Sequence, residues 1–240
     1  MRAILEANRS GSPVVPPADV TPPEKPHEFF VDYEYFTNVN VDFETQWPSL
    51  EGMEMIFMIG LGWEAGGEWR YEAFTAAAED LIGEMGMFDH FFQRLDELTG
   101  GVFTNQEGTA LFHWTSAEVW QTKRAAERHQ LPADHPLHAL PWVDLQKTFL
   151  DGPVAIPGSW DFGLKSMVKA LSEHDPDYAV LWPGELDEGL RVMVMGWEAY
   201  QNPQPLETDE LQAISQYLET DCKTLWQILR WLRFKNNERL

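Results

Sequence analysis

Asp32 and Glu34 stand two residues apart in the run Phe29-Phe30-Val31-Asp32-Tyr33-Glu34, whose apolar start reads as a buried strand. A strand's period of two puts both carboxylates on one face. Buried side by side they repel each other, and a divalent cation removes that cost; hard oxygen ligands favour Mg2+ or Mn2+. A second pair, Asp42-Phe43-Glu44, follows ten residues later in an alternating stretch with Val39 and Val41, and is an alternative for the same role. On an exposed edge strand either pair would be ordinary solvated acid.

Tyr217 and Asp221 are four residues apart, on one face of a helix whose apolar stripe holds Ile214, Leu218, Leu225 and Ile228. A tyrosine hydroxyl one turn from a metal-binding carboxylate can orient a water; the plain alternative is a core tyrosine beside a solvated aspartate. Glu118 follows Leu111-Phe112-His113-Trp114-Thr115-Ser116-Ala117, a strand end and a helix start, and falls in the first turn, where the helix dipole tolerates an anion. Asp144 is a further candidate ligand, though its position suits the N-cap of a following helix.

These residues need elements to hold them. Glu54 to Trp63 suits a central strand and Glu68 to Phe74 a third, joined at Gly66-Gly67 as an antiparallel meander. Ala76 to Leu98 carries apolar residues at helical spacing, with a possible break at Gly86, and Gly100-Gly101 ends it. A strand over Thr109 to His113, a helix over Ser116 to Arg128, a loop from Leu131 to Pro141 and a short strand or helix start at Trp142 to Leu150 follow. Helices over Phe162 to Leu171 and Leu190 to Tyr200 precede a long last helix, capped by Thr208 and running to about Phe234. The order predicts an α/β domain with a mixed sheet. Ahead of it, Arg2 to Asn8 reads as a short helix and Ser10 to Pro26, rich in proline, as an extended arm or linker, so that residues 1–26 precede a domain over 27–240. Gly60-Leu61-Gly62 lacks a phosphate-loop context.

Taken in order, these motifs resemble the DEDD group of RNase H-like exonucleases. That group has Asp-x-Glu on its first strand, an acid on a helix after a later strand, and Tyr-x-x-x-Asp on its last helix. Asp32 and Glu34, Glu118, and Tyr217 with Asp221 match those positions. More narrowly, Phe29 to Glu34, Phe112 to Glu118, Trp142-Val143-Asp144-Leu145, Gly163-Leu164-Lys165-Ser166 and Tyr217 to Asp221 are similar to segments of the RNase H-like domains found beside or behind RecB-type nuclease domains. The likeness spans about His27 to Leu232. It implies an RNase H-like fold, with three antiparallel strands and then parallel ones, flanked by helices. It also implies a metal-dependent 3′–5′ exonuclease on single-stranded DNA or RNA ends, and a RecB-type nuclease or helicase as partner. Two Mg2+ or Mn2+ ions would lie between Asp32, Glu34, Glu118 and Asp221, with Tyr217 orienting the attacking water. Lys165, Trp114 and His113 would face the substrate. Glu118 departs from the group's usual aspartate at the second motif.

The composition sets limits. The chain has 240 residues, 44% of them apolar, enough for one substantial core. A single cysteine, Cys222, excludes an internal disulfide framework. No apolar run has spanning length and the N-terminus is no secretory signal, so the expectation is a cytoplasmic protein without a membrane segment. The net charge of -22 runs against the basic footprint of a nucleic-acid binder. Local clusters would have to supply it: Lys123, Arg124 and Arg128 on one helix, and Lys223, Arg230, Arg233 and Lys235 on the last, with Trp160 as a further stacking surface. A non-catalytic RNase H-like module that binds a protein, and a structure-specific endonuclease, fit the same residues.

Overall fold

The computed structural model describes residues 2–14, 21–37, 54–182 and 189–237. Asp42 and Glu44, the alternative first pair, lie outside the described residues. Helix α1 (Arg2–Ser10) precedes three strands, β1 (His27–Phe36), β2 (Met55–Ala65) and β3 (Glu68–Thr75). Then come α2 (Leu81–Thr99), β4 (Thr109–His113), α3 (Ala117–Arg128), β5 (Trp142–Asp144) and α4 (Leu145–Asp151). Helices α5 (Leu164–His174), α6 (Gly189–Tyr200) and α7 (Asp209–Asn237) complete the chain. The strands form one five-stranded sheet in the order β3-β2-β1-β4-β5. β1 to β3 are an antiparallel meander, and β1, β4 and β5 run parallel. The protein is thus an α/β domain with a mixed sheet flanked by helices. No helix among the described residues is long and apolar enough to cross a membrane.

Capping chemistry sets several boundaries. α2 starts at Leu81 rather than Ala76 because Asp80 takes extended backbone and its carboxylate accepts from the Gly83 N–H at 2.7 Å. The helix passes Gly86 without a break and ends at Gly100, whose φ of 69° is the left-handed conformation a glycine adopts without penalty. Asp144 caps α4 by accepting from the Lys147 N–H at 2.9 Å, which gives its carboxylate a structural task. The Thr208 hydroxyl accepts from Leu211 N–H at the start of α7.

Alternation along the strands divides the core. Phe29, Val31 and Leu111 face Met87, Phe88, Phe91 and Leu95 of α2, with Ala125 and Ala126 of α3. Phe30, Ala110 and Phe112 face Phe149, Met167 and Val168 with Leu225, Ile228 and Leu229 of α7. Asp32 and Glu34 share the parity of Phe30, so they point to the side over which α7 runs. Along β1, β4 pairs with His27 to Phe30 alone, so the second half of β1 extends past that pairing and carries both acids there. The parallel strands β1 and β4 therefore open a crevice at their carboxyl ends, where α/β sheets bind ligands.

The expected N-terminal arm makes defined contacts. Ala3, Ile4 and Ala7 of α1 pack with Ala155, and Val14 exchanges backbone hydrogen bonds with Ala155 at 2.9 Å. Asn8 accepts from Gly158 N–H and donates to the Ser159 carbonyl.

Candidate active site

A cavity of about 460 Å3 opens at that crevice, and Asp32, Glu34, Glu118, Asp221, Tyr217, Lys165 and Trp114 all line it. β1 supplies the first two, the start of α3 supplies Glu118, and α7 supplies Tyr217 and Asp221. Gly60 makes the approach of α7 possible. It pairs with Asp32 across β1 and β2, and a Cβ there would lie 3.1 Å from Cys222 Sγ and 3.3 Å from Leu218 Cβ. The helix rests on bare backbone at the strand position opposite Asp32, which brings Asp221 beside it.

The acids meet directly. Asp32 hydrogen-bonds Glu118 and Asp221. Two carboxyl groups share such a bond only when one carries a proton, and burial, then the charges of Asp221, Glu118 and Glu34, hold the Asp32 carboxyl well above the ordinary carboxylate range. Asp32 keeps some accessible surface on the cavity floor but is surrounded by protein on its other sides. Burial, followed by the charge of Asp221, also raises Glu34. Burial pushes Asp221 up to about 6, against the hydrogen bond from Trp182, the charge of Lys165 and the neighbouring Tyr217 and Asp32. The Tyr217 hydroxyl, raised far above its ordinary value by burial and then by Asp221, stays protonated beside that carboxylate.

This donor set fits a hard divalent cation. It is all oxygen, burial raises the carboxyls of Asp32, Glu34 and Asp221, and Glu118 Oε2 is buried without a hydrogen-bond partner. Among the described residues, however, no group of three or more His, Cys, Asp or Glu stands ready-spaced for an ion. Asp32 is instead engaged with Glu118 and Asp221.

His113 lies behind Glu118 and off the cavity wall, only 2% exposed. Its Nδ1 donates to the Thr115 carbonyl and sits 3.2 Å from Glu118 Oε2, while its ring meets Trp142 edge-on. Contact with a substrate is closed to it; it packs behind Glu118. Trp114 forms wall rather than a stacking surface, with 6% exposure and its indole N–H given to the Phe162 carbonyl at 2.9 Å. Lys165 Nζ lies over the rings of Tyr217, at 4.9 Å, and Trp182, at 5.8 Å.

The expected basic clusters are engaged elsewhere. Arg128 is buried against Glu84, Arg124 pairs with Glu54, Arg233 pairs with Glu28, and Lys235 with Asp175 at 3.4 Å. Arg230 stacks on Trp226. Trp160 is exposed. Trp182, whose indole N–H donates to Asp221 Oδ1 at 2.8 Å, is a site residue that no sequence motif singled out. It stands alone between loop prolines with no periodic partner, and only the tertiary contact reveals it. Comparison with family models, with curated proteins and with solved structures finds no match to this chain.

Proposed function

We propose that this chain is a metal-dependent nuclease of the RNase H-like type, cutting phosphodiester bonds at single-stranded 3′ ends. The observation that carries this reading is the convergence of Asp32, Glu34, Glu118 and Asp221, from three separate elements, in one cavity at the carboxyl ends of parallel strands. The sheet order, antiparallel through β1 and then parallel, supports an RNase H-like arrangement. Two Mg2+ or Mn2+ ions held by these four acids would supply an activated water and charge neutralisation at the leaving oxygen.

The chain's own groups prepare that chemistry. Tyr217, held protonated, presents a hydroxyl at the cavity beside Asp221. Lys165 brings the cationic charge on the cavity wall within reach of a phosphate oxygen. Leu164, Leu190 and Met193 give the cavity an apolar side suited to a base or sugar. His113 lies directly behind Glu118, its Nδ1 3.2 Å from Oε2. On the same likeness, a RecB-type nuclease or helicase is the partner class.

The test is digestion of 5′-labelled single strands with Mg2+ or Mn2+. Wild type should shorten them from the 3′ end and Asp32→Asn should lose at least about a hundredfold in rate. Equal rates in the two proteins sink the assignment. Loss only in Asp42→Asn moves the first motif to the second pair. Circular substrates cut by wild type would favour an endonuclease, and a protein inert toward cation and strand alike is the interaction module.

A further inference from the structure

We infer that Trp182 is a positioning residue of the acid site, one that fixes Asp221 through its indole N–H and holds Lys165 against the site through its ring; the inference rests on the metal-binding reading above. Its Nε1 donates to Asp221 Oδ1 at 2.8 Å. Tyr217 lies one helical turn earlier, beside the same carboxylate. The carboxylate is thus held by a donor from the loop ahead of α6, outside its own helix. A tryptophan indole is a donor only, so this partner cannot withdraw by changing protonation. The same ring forms one side of a slot whose other side is Tyr217, and the Lys165 ammonium stands over both. One side chain therefore sets both the direction of an anionic ligand and the place of the neighbouring cation. Trp182 is half-buried, so the polar contact is not a by-product of filling a deep core.

The consequence is an affinity effect separable from folding. Groups that orient metal ligands from behind are worth about tenfold or more in metal affinity. Trp182→Phe keeps a ring against Lys165 and most of the packing but removes the donor. It should raise the dissociation constant for Mg2+ by about tenfold, read by calorimetric titration, with the melting temperature of the metal-free protein within about two degrees of wild type. A second measurement needs no change at Trp182. The Trp182 indole N–H resonance, assigned through its own backbone, should move when Asp221 is replaced by Asn and again on addition of Mg2+. Wild-type affinity in Trp182→Phe overturns the inference, as does an indole resonance indifferent to Asp221→Asn. A wild-type protein with no saturable Mg2+ binding overturns the nuclease reading instead. The anchor between Trp182 and Asp221 then stands or falls on the Asp221→Asn comparison alone.

Discussion

Gly60 does for the site what no charged residue can. Its missing Cβ lets α7 lie against β2 at the position paired with Asp32, and through that contact Asp221 reaches Asp32. In Gly60→Ala the added methyl meets Cys222 Sγ at 3.1 Å and both Leu218 Cβ and Tyr71 Cε2 at 3.3 Å, so the helix or the tyrosine must yield by a few tenths of an ångström. Overpacking of this kind costs about 1–3 kcal/mol. The expected outcome is a destabilised but folded protein whose Mg2+ affinity falls by more than its stability change explains, read by urea denaturation beside calorimetric titration. Affinity left intact would mean that α7 does not depend on this contact for its seat. The residues that could ligate were legible in the sequence because their types and order carry chemistry. Gly60 and Trp182 were not, since both act on Asp221 across the fold, Trp182 from 39 residues away and Gly60 from more than a hundred. His113 was misplaced for a related reason: a histidine at a strand end reads as accessible until the ring's actual neighbours, Glu118, Thr115 and Trp142, are known.

The helix that carries Glu118 is pinned from outside the site. At its far end Arg128 is buried against Glu84, which also accepts from His129 Nε2 at 2.8 Å and from the Ile56 N–H at 2.8 Å. Nearer the cavity, Glu54 receives Arg124 and Gln121. The Glu84 carboxyl is depressed because these bonds outweigh the burial that raises it. Arg124 and Arg128 therefore clamp that helix to the residue before β2 and to α2. Arg128→Met leaves Glu84 buried with its strongest partner gone and should cost about 3–5 kcal/mol, measured by chemical denaturation. A cost below about 1 kcal/mol would mean that His129 and the Ile56 N–H suffice. The elements themselves were largely legible: the meander, the alternating helices and strands and the closing helix follow from periodicity and turn residues. The ion pairing was not, because a Lys/Arg cluster on one helix looks the same whether it faces solvent or acids brought to it from residues 54 and 84.

For the whole molecule, cations spent on internal pairs and acids gathered at one cavity make stability depend on the site's charge. Asp221, pushed up to about 6 from an ordinary 3.8, binds a proton in the folded chain that the unfolded chain releases, and Asp32 and Glu34 are displaced in the same direction. A raised carboxyl contributes stability that is fully present below its unfolded value and is lost as pH rises through its folded one. Without metal, stability should therefore fall as pH climbs between about 4 and 6, by about 3 kcal/mol for Asp221 alone. Glu84 acts oppositely: its depressed carboxyl contributes stability above its ordinary 4.5 and loses it as pH falls through the folded value, so acid does not stabilise without limit. A divalent cation binds only the ionised site and adds stability by mass action, most where the acids are already deprotonated. Thermal melts in chelator and in saturating Mg2+, taken from about pH 5 to about pH 8, should then diverge: falling with pH in chelator, flat or rising in Mg2+. Parallel curves would mean that the cavity acids do not hold the ion. A chelator curve that rises through pH 6 would mean that the shared protons are absent from the folded chain.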